Sequence, residues 1–350
     1  MNEIFKKNNL NKNIKIDFGI DDNQINKLLD EIKIFGQIII NEESKKNYEL
    51  YNNFLINTKN IFHKLKYHTN SVYCLTVMND GRLVSGSADC SIIIYNKISY
   101  NPDLIIKEHK GYICCIIQLR SGILASCSSD NTVKLFNING IKYEVLQTLN
   151  YHTNYVWKII ELKDKSLVTC SSDSSIIFYM KDSLKYTKDY SISTDSECYS
   201  IIQTKYNEIC YSVLKNNKIC FYNLLYKKTI NSISNLSKYN GIRFWPILMN
   251  KDLLIVPGEN RISIVDLKEY KLVRIIQVPG SSWIYGICLL NNNMLLTSDN
   301  KEVIRQWKIE GDNLLLISKK EKAHKSQINV LLNLGDGHIA SGSDCTIRIW

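Results

Sequence analysis

From His68 onward the chain is built of short apolar runs broken at regular intervals by polar turns. A histidine precedes an apolar run such as SVYCLTV (Ser71–Val77) or YVWKIIEL (Tyr155–Leu162), which reads as a short strand. A tight turn follows: NDGR at Asn79–Arg82, RSG at Arg120–Gly122, KDKS at Lys163–Ser166 and GDGH at Gly335–His338. Gly, Asn and Asp tolerate positive φ, so such turns join antiparallel strands closely. Next comes a second run of small, Ser-rich residues, then an aspartate turn, then a third run of β-branched residues ending in an aromatic. VSGSADCSIIIY, ASCSSDNTVKLF, VTCSSDSSIIFY and ASGSDCTIRIW all have this form. A fourth run, as in YEVLQTLNYH (Tyr143–His152), leads to the next histidine.

The pattern repeats with a fixed period. The residues closing the third run, Tyr95, Phe136, Tyr179, Tyr222, Val265, Trp307 and Trp350, are spaced by 41, 43, 43, 43, 42 and 43 residues. Four antiparallel strands per ~42-residue unit, repeated seven times, predict an all-β, seven-bladed β-propeller.

His68 to Asp89, His109 to Asp130 and His152 to Asp173 are each 21 residues apart, and His324 to Asp344 is 20. With this spacing the chain resembles the WD-repeat (WD40) family over roughly residues 58–350. The resemblance implies a hydrogen-bonded chain in each repeat, from the loop histidine through a second-strand Ser or Thr, with the turn aspartate and the terminal aromatic. The matching sets are His68, Ser85, Asp89 and Tyr95; His109, Ser126, Asp130 and Phe136; His152, Thr169, Asp173 and Tyr179; and His324, Ser341, Asp344 and Trp350. Phe136 keeps the packing of the terminal aromatic and offers no hydrogen bond. The middle units depart from the pattern. Unit four has Asn216 at the aspartate position, unit five has Pro257-Gly258 at the turn and ends in Val265, and unit six is longer, with Asp299 as its candidate aspartate. The family also closes its ring with an N-terminal strand, and the segment near 60–66 is placed to complete blade seven.

Residues 1–57 read as an N-terminal extension with two short amphipathic helices. Ile25, Leu28, Leu29 and Ile32 have helical spacing, with Asp21 or Asp22 as cap and Gly36 as stop; a second helix is expected from about Glu42 to Leu55. They pack on the propeller or dock another protein.

Charge and chemistry narrow the function. The net charge is +10, yet residues 1–57 hold 8 Lys against 9 Asp and Glu, so the repeat region carries the excess. Its lysines are scattered, as on a solvated surface. No apolar run approaches the ~18 residues of a membrane span, and the start lacks a secretory signal. The reading is therefore an intracellular, cytoplasmic protein, with the nucleus as the alternative. Eleven cysteines fit that compartment as reduced thiols. Cys114, Cys115, Cys127 and Cys170 fall on strand patterns with no Cys-x-x-Cys pair, as buried apolar residues do. Ser85, His68 and Asp89 have the residue types of a catalytic triad, but the set recurs about four times at equal phase, so the groups are structural and no enzyme is expected. No cofactor, metal or phosphate-cradling loop is implied.

Function then lies in the loops and rim. The residues flanking the start of each first strand place Tyr73, Tyr112, Tyr155, Trp157, Arg243, Trp283 and Tyr285 around one opening, either as a peptide-binding surface or as packing between blades; Tyr, Trp and Arg dominate interface hot spots. The expected function is a non-catalytic protein–protein interaction scaffold that binds short peptide segments of other proteins and is monomeric outside its assembly. The alternatives are binding of an anionic ligand, RNA or phosphoinositide, or substrate adaptation for a ubiquitin ligase. Neither the Phe-Arg-Arg-Gly signature of phosphoinositide-binding propellers nor a Trp-Asp-x-Arg motif is present, Trp307 being followed by Lys308.

Overall fold

The structure, a computed structural model, describes residues 61–350 apart from 183–184, 206, 237–245, 281–282 and 291–292. The two N-terminal helices and Arg243 lie outside the described residues. The described strands form seven four-stranded antiparallel sheets, the blades of a propeller. Blade one shows the plan: Val72–Val77 is innermost, followed outward by Leu83–Ser87, Ile92–Tyr95 and Pro102–Ile106. Blades two to six repeat it, beginning with inner strands Ile113–Gln118, Val156–Glu161, Cys198–Lys205, Ile247–Leu248 and Ile284–Leu290. Blade seven takes three strands from Val330–Asn333, Ile339–Gly342 and Ile347–Ile349. Its outer strand is His63–Leu65, which pairs antiparallel with Ile347–Ile349.

The second and third strands carry the core because both faces of these strands meet a neighbouring blade. Leu83–Ser87, Leu124–Ser128 and Leu167–Ser171 are buried throughout. Seven apolar clusters fill the seven blade interfaces. Tyr95, Phe136 and Tyr179 are each wholly buried there, and each stabilises the ring by about 1.5–3 kcal/mol through area removed from water. Small residues let the blades close. At Gly86, an added Cβ would stand 2.5 Å from Ile113 Cγ2 of the next blade.

Polar groups also join the blades. At the end opposite the histidine loops, the inner-strand residues Gln118, Glu161 and Gln203 each accept a hydrogen bond from the preceding blade's turn. The donors are the backbone N–H groups of Asn79 (2.6 Å), Arg120 (2.9 Å) and Lys163 (3.0 Å). This satisfies turn donors that form no ladder bond and fixes the angle between neighbouring sheets.

Candidate functional site

The histidine chains are built inside the blades. His68 Nδ1 lies 2.8 Å from Asp89 Oδ2 and its Nε2 lies 2.6 Å from Ser85 Oγ, which stands 2.9 Å from the Tyr95 hydroxyl. In blade two, His109 reaches Asp130 at 2.8 Å and Ser126 at 2.7 Å; in blade three, His152 reaches Asp173 and Thr169, both at 2.7 Å. Thr169 Oγ1 stands 3.3 Å from the Tyr179 hydroxyl. Each aspartate also caps its own turn, accepting from the backbone N–H groups of Ser91, Thr132 and Ser175. That bond holds the next residue's backbone in place: Cys90, Asn131 and Ser174 all have positive φ. Burial alone would raise these carboxyls, but hydrogen bonds from His68 and Ser91, His109 and Thr132, and His152 and Ser175 outweigh it and hold all three well below the usual carboxylate range. The Ser85, Ser126 and Thr169 hydroxyls belong to residues with 0% exposure. A nucleophile must meet its substrate, and these buried oxygens face an imidazole, joined in blades one and three by a phenol.

Blade seven differs from the motif. His324 Nε2 lies 2.7 Å from Ser341 Oγ, which accepts from Trp350 Nε1 at 2.8 Å. Nδ1, however, faces Thr346 Oγ1 at 3.3 Å and not Asp344, which accepts from Ser343 Oγ. The turn Ser-Gly-Ser-Asp-Cys-Thr is one residue shorter than Ser-Gly-Ser-Ala-Asp-Cys-Ser in blade one, so Asp344 does not reach the imidazole. Burial first, then the Arg348 and Lys64 charges, push the His324 pKa down to about 3. Blade six keeps half the chain, with Trp307 Nε1 donating to Thr297 Oγ1 at 2.9 Å. Its wholly buried Asp299 pairs with Arg305 at 2.5 Å instead of with a histidine. The sequence reading missed Arg305, because an Arg within a third strand looks like a solvent-facing residue.

The rim residues are set by a repeated irregularity. The inner strands of blades one, two, three, four and six each shift register between Val72 and Cys74, Ile113 and Cys115, Val156 and Lys158, Cys198 and Ser200, and Ile284 and Gly286. The bulged residues are Tyr73, Cys114, Trp157, Tyr199 and Tyr285. A β-bulge frees a residue from the ladder and re-aims its side chain.

Four of the residues singled out from sequence fall into two ring groups, the second of which also takes in Tyr199. Tyr73 and Tyr112 rings lie 6.3 Å apart, Tyr155 and Trp157 5.8 Å, and Trp157 and Tyr199 5.3 Å. Trp157 Nε1 donates to Ser172 Oγ at 2.6 Å, and Ser172 donates to Glu197 Oε2, as does the Tyr199 hydroxyl. Tyr112 and Tyr155 are exposed at 45% and 42%, so neither belongs to the core. Trp283 is half-buried, bridges Glu259 and packs on the cluster between blades four and five. Tyr199 and Glu197 were not singled out from sequence, although they occupy in blade four the positions that Trp157 and Tyr155 occupy in blade three.

The inner strands enclose a central cavity of about 280 Å³, lined by residues of all seven blades, including Tyr73, Lys158, Ser200, Tyr285 and Asn329. At the outer edge of blade seven, Lys64 stands directly opposite Arg348 in the closing strand pair. Lys320 Nζ and the Arg348 guanidinium sit 6.0 and 5.9 Å from the Trp350 ring centroid. Slight burial and then the Arg348, Lys66 and Lys325 charges hold the Lys64 ammonium below its ordinary value. Cys114, Cys115, Cys127 and Cys170 are buried thiols. Among the described residues no helix is long and apolar enough to cross a membrane.

Histidine–aspartate pairs brace the first three of these four-stranded blades, and WD repeats are found in the ring at three positions. The family model for the WD domain, G-beta repeat, matches residues 59–96, 101–137 and 317–350, which cover blades one, two and seven. A bromodomain and WD repeat-containing protein of Dictyostelium discoideum is 28% identical over 121 residues, which make up 34% of this chain and 5% of that relative.

Proposed function

We propose that the propeller is a non-catalytic interaction scaffold whose histidine-loop face binds a peptide segment of a partner protein. The observation that carries this reading is the pair of aromatic groups, Tyr73 with Tyr112 in blades one and two and Tyr155, Trp157 and Tyr199 in blades three and four, with bulges that free Tyr73, Trp157 and Tyr199 from the ladder. Such rings supply contact area at low conformational cost and anchor interfaces, each worth up to ~2 kcal/mol or more on truncation to alanine. Trp283, Tyr285 and Arg243 extend the same face in the sequence reading.

The test is affinity purification of the chain from its native cell, with partners quantified by mass spectrometry. Tyr112→Ala with Tyr155→Ala, two exposed positions, is expected to reduce co-purifying partners at least ~10-fold while the melting temperature holds, as loss of two interface anchors implies. An identical partner set at equal yield would refute the peptide-binding face.

The cationic edge of blade seven supports a second reading, binding of a polyanion such as RNA or a phosphoinositide headgroup. Lys64→Glu separates it from the first. Exchanging a like-charged cross-strand pair for an opposite-charged one stabilises the closing sheet by about 0.5–1 kcal/mol, so the melting temperature should rise. On this second reading, the variant also elutes from heparin at lower salt than the parent, since counterion release scales with the cations engaged. Unchanged elution rejects the polyanion reading at this edge.

A further inference from the structure

The four most exposed large apolar side chains among the described residues all stand on one kind of turn. They are Ile98 at 86%, Leu225 and Tyr226 at 68% and Ile141 at 67%. Each lies between the third strand and the outer strand of its blade, in blades one, four and two. In blade three the turn itself, 183–184, is outside the described residues, and Met180 on the strand leading to it is 56% exposed. A single exposed apolar residue is ordinary on a protein surface, and turn tips are usually Gly, Asn, Asp or Ser. The same departure in successive blades is not ordinary. The tips are also held in place. Asn96 Oδ1 accepts from the Ile98 and Ser99 N–H groups at 3.0 and 3.1 Å, and Asn223 Oδ1 accepts from those of Leu225 and Tyr226 at 3.0 and 2.9 Å. In blade two, Gly140 O accepts from the Arg82 guanidinium of blade one at 2.7 Å. Because the strands of each blade alternate in direction, these turns share the end of the ring opposite the histidine loops.

Positive charge accompanies the tips. Residues 96–101, 137–142 and 223–228 hold Lys97, Lys142, Lys227 and Lys228 and no carboxylate, and in blade three Lys181 and Lys185 flank Asp182. All six lysines are exposed. Blades five and six lack the pattern. Asp266 forms the turn that Asn96 and Asn223 form, but it presents Lys268 and Glu269, and blade six has Glu310, Gly311 and Asp312 in that place. Nearer the axis the charges are mixed: Asp80 pairs with Arg82, and Asp164 stands between Lys163 and Lys165. Tips on neighbouring blades are at least about 10 Å apart, the spacing of packed sheets. They are separate studs and form no groove for a rigid protein partner. A bilayer surface conforms to such studs, taking apolar side chains into the headgroup–acyl boundary while lysines beside them meet anionic headgroups. We propose that the rim of blades one to four at this end docks on an anionic lipid bilayer, with Ile98, Ile141, Leu225 and Tyr226 inserted and the flanking lysines on the headgroups. This face is distinct from the peptide-binding face at the other end of the ring and from the cationic edge of blade seven, and it stands or falls without them.

The test mixes the full chain with vesicles of phosphatidylcholine, alone or with added phosphatidylserine, and reads bound protein by co-flotation. Binding to the phosphatidylserine vesicles is expected at least ~10-fold above binding to phosphatidylcholine, because each lysine near the surface gains in the field of the anionic leaflet. Ile98→Ser with Leu225→Ser, at two exposed positions, should cut that binding at least ~10-fold while the melting temperature holds. Lys142→Glu with Lys228→Glu should cut it by a similar factor and flatten its salt dependence. Ile98→Trp reports depth: on the vesicles the variant's emission should shift to shorter wavelength and be quenched by brominated acyl chains. Binding that survives the serine pair overturns insertion of the tips, whatever the glutamate pair does. No binding to either vesicle overturns the bilayer as partner, and retention on RNA in that case assigns the lysines to a nucleic acid. Loss of vesicle binding in Tyr112→Ala with Tyr155→Ala, or in Lys64→Glu, to the extent seen in the serine pair would move the contact to another face and overturn this one.

Discussion

Asp130→Ala is expected to lower the stability of the propeller by about 3 kcal/mol, whereas Asp344→Ala should change it by less than ~0.5 kcal/mol, although both aspartates occupy the same place in the repeat motif. The difference follows from what each carboxylate touches. Asp130 accepts from His109 Nδ1 at 2.8 Å, Lys110 N at 2.9 Å, Thr132 N at 3.0 Å and Thr132 Oγ1 at 2.6 Å. Lys110 is exposed and finds water when the carboxylate is gone, but His109 is 6% exposed and cannot. A buried donor left without an acceptor costs ~1–3 kcal/mol, and hydrogen bonds to a charged group lie at the upper end. The turn would lose its cap as well, and Asn131 would keep its positive φ without the bond that holds it there. Asp344 bonds Ser343 Oγ at 3.0 Å and stands clear of His324. Urea midpoints of the two variants, measured beside the parent chain, decide the matter. Equal losses would mean that Asp344 does support His324 and would remove the short-turn account of blade seven.

The second large effect is acid sensitivity in two stages. His324 is buried and held down to about pKa 3 by desolvation and by the nearby Arg348 and Lys64 charges. A depressed pKa gives stability that is complete above the unfolded-state value, near 6.5, and is lost as the pH falls, because the unfolded chain gains a proton that the folded one refuses. Between about pH 6.5 and 3 this single imidazole therefore costs up to ~1.4 kcal/mol per pH unit. The aspartates act later. Asp89, Asp130 and Asp173 are also depressed, so their contribution is present above the ordinary carboxylate range, near ~4, and fades below it. Thermal melting across pH 7 to 4 should show a steady fall for the parent chain. His324→Gln, which keeps a side-chain amide for Ser341 and cannot take up a proton, should flatten that part of the curve while lowering the plateau at pH 7. A parent curve flat from pH 6.5 to 4.5 would show that His324 titrates normally and that its cationic surroundings are screened.

What the sequence makes legible here is whatever every blade needs. Alternating strands and turns recur because each sheet must bury two faces, so the seven-unit period can be read from Tyr95 to Trp350 without coordinates. The 21-residue interval of the first three histidine–aspartate pairs is equally plain, because a buried imidazole forces a partner at fixed distance along the fold. Features that depend on register are not legible in that way. The bulges that free Trp157 and Tyr199 from the ladder arise from how two strands slide past each other, and no single residue announces them. Lys158 sits in YVWKIIEL as any surface lysine would, because a strand facing a central cavity and a strand facing solvent have the same pattern. A one-residue shortening in blade seven moves Asp344 off His324 while leaving the motif recognisable. Arg305 replaces a histidine from a different strand altogether, so a motif tied to chain position passes over it.

The sheet that completes blade seven draws His63–Leu65 from one side of the ring's stretch of chain and Ile347–Ile349 from the other. Among the described strands of the ring, these are the first and the last to be made on a ribosome. Until the final turn of the wheel emerges, blade one waits with the face bearing Val72, Leu83 and Tyr95 uncovered, since its neighbours in that cluster are Ala340, Ile347 and Ile349. Pairings between distant parts of a chain form slowly, and apolar faces and open edges left uncovered in the interval invite aggregation. The nascent propeller should therefore be a client of general chaperones until these two short strands meet, and release from them should coincide with that meeting.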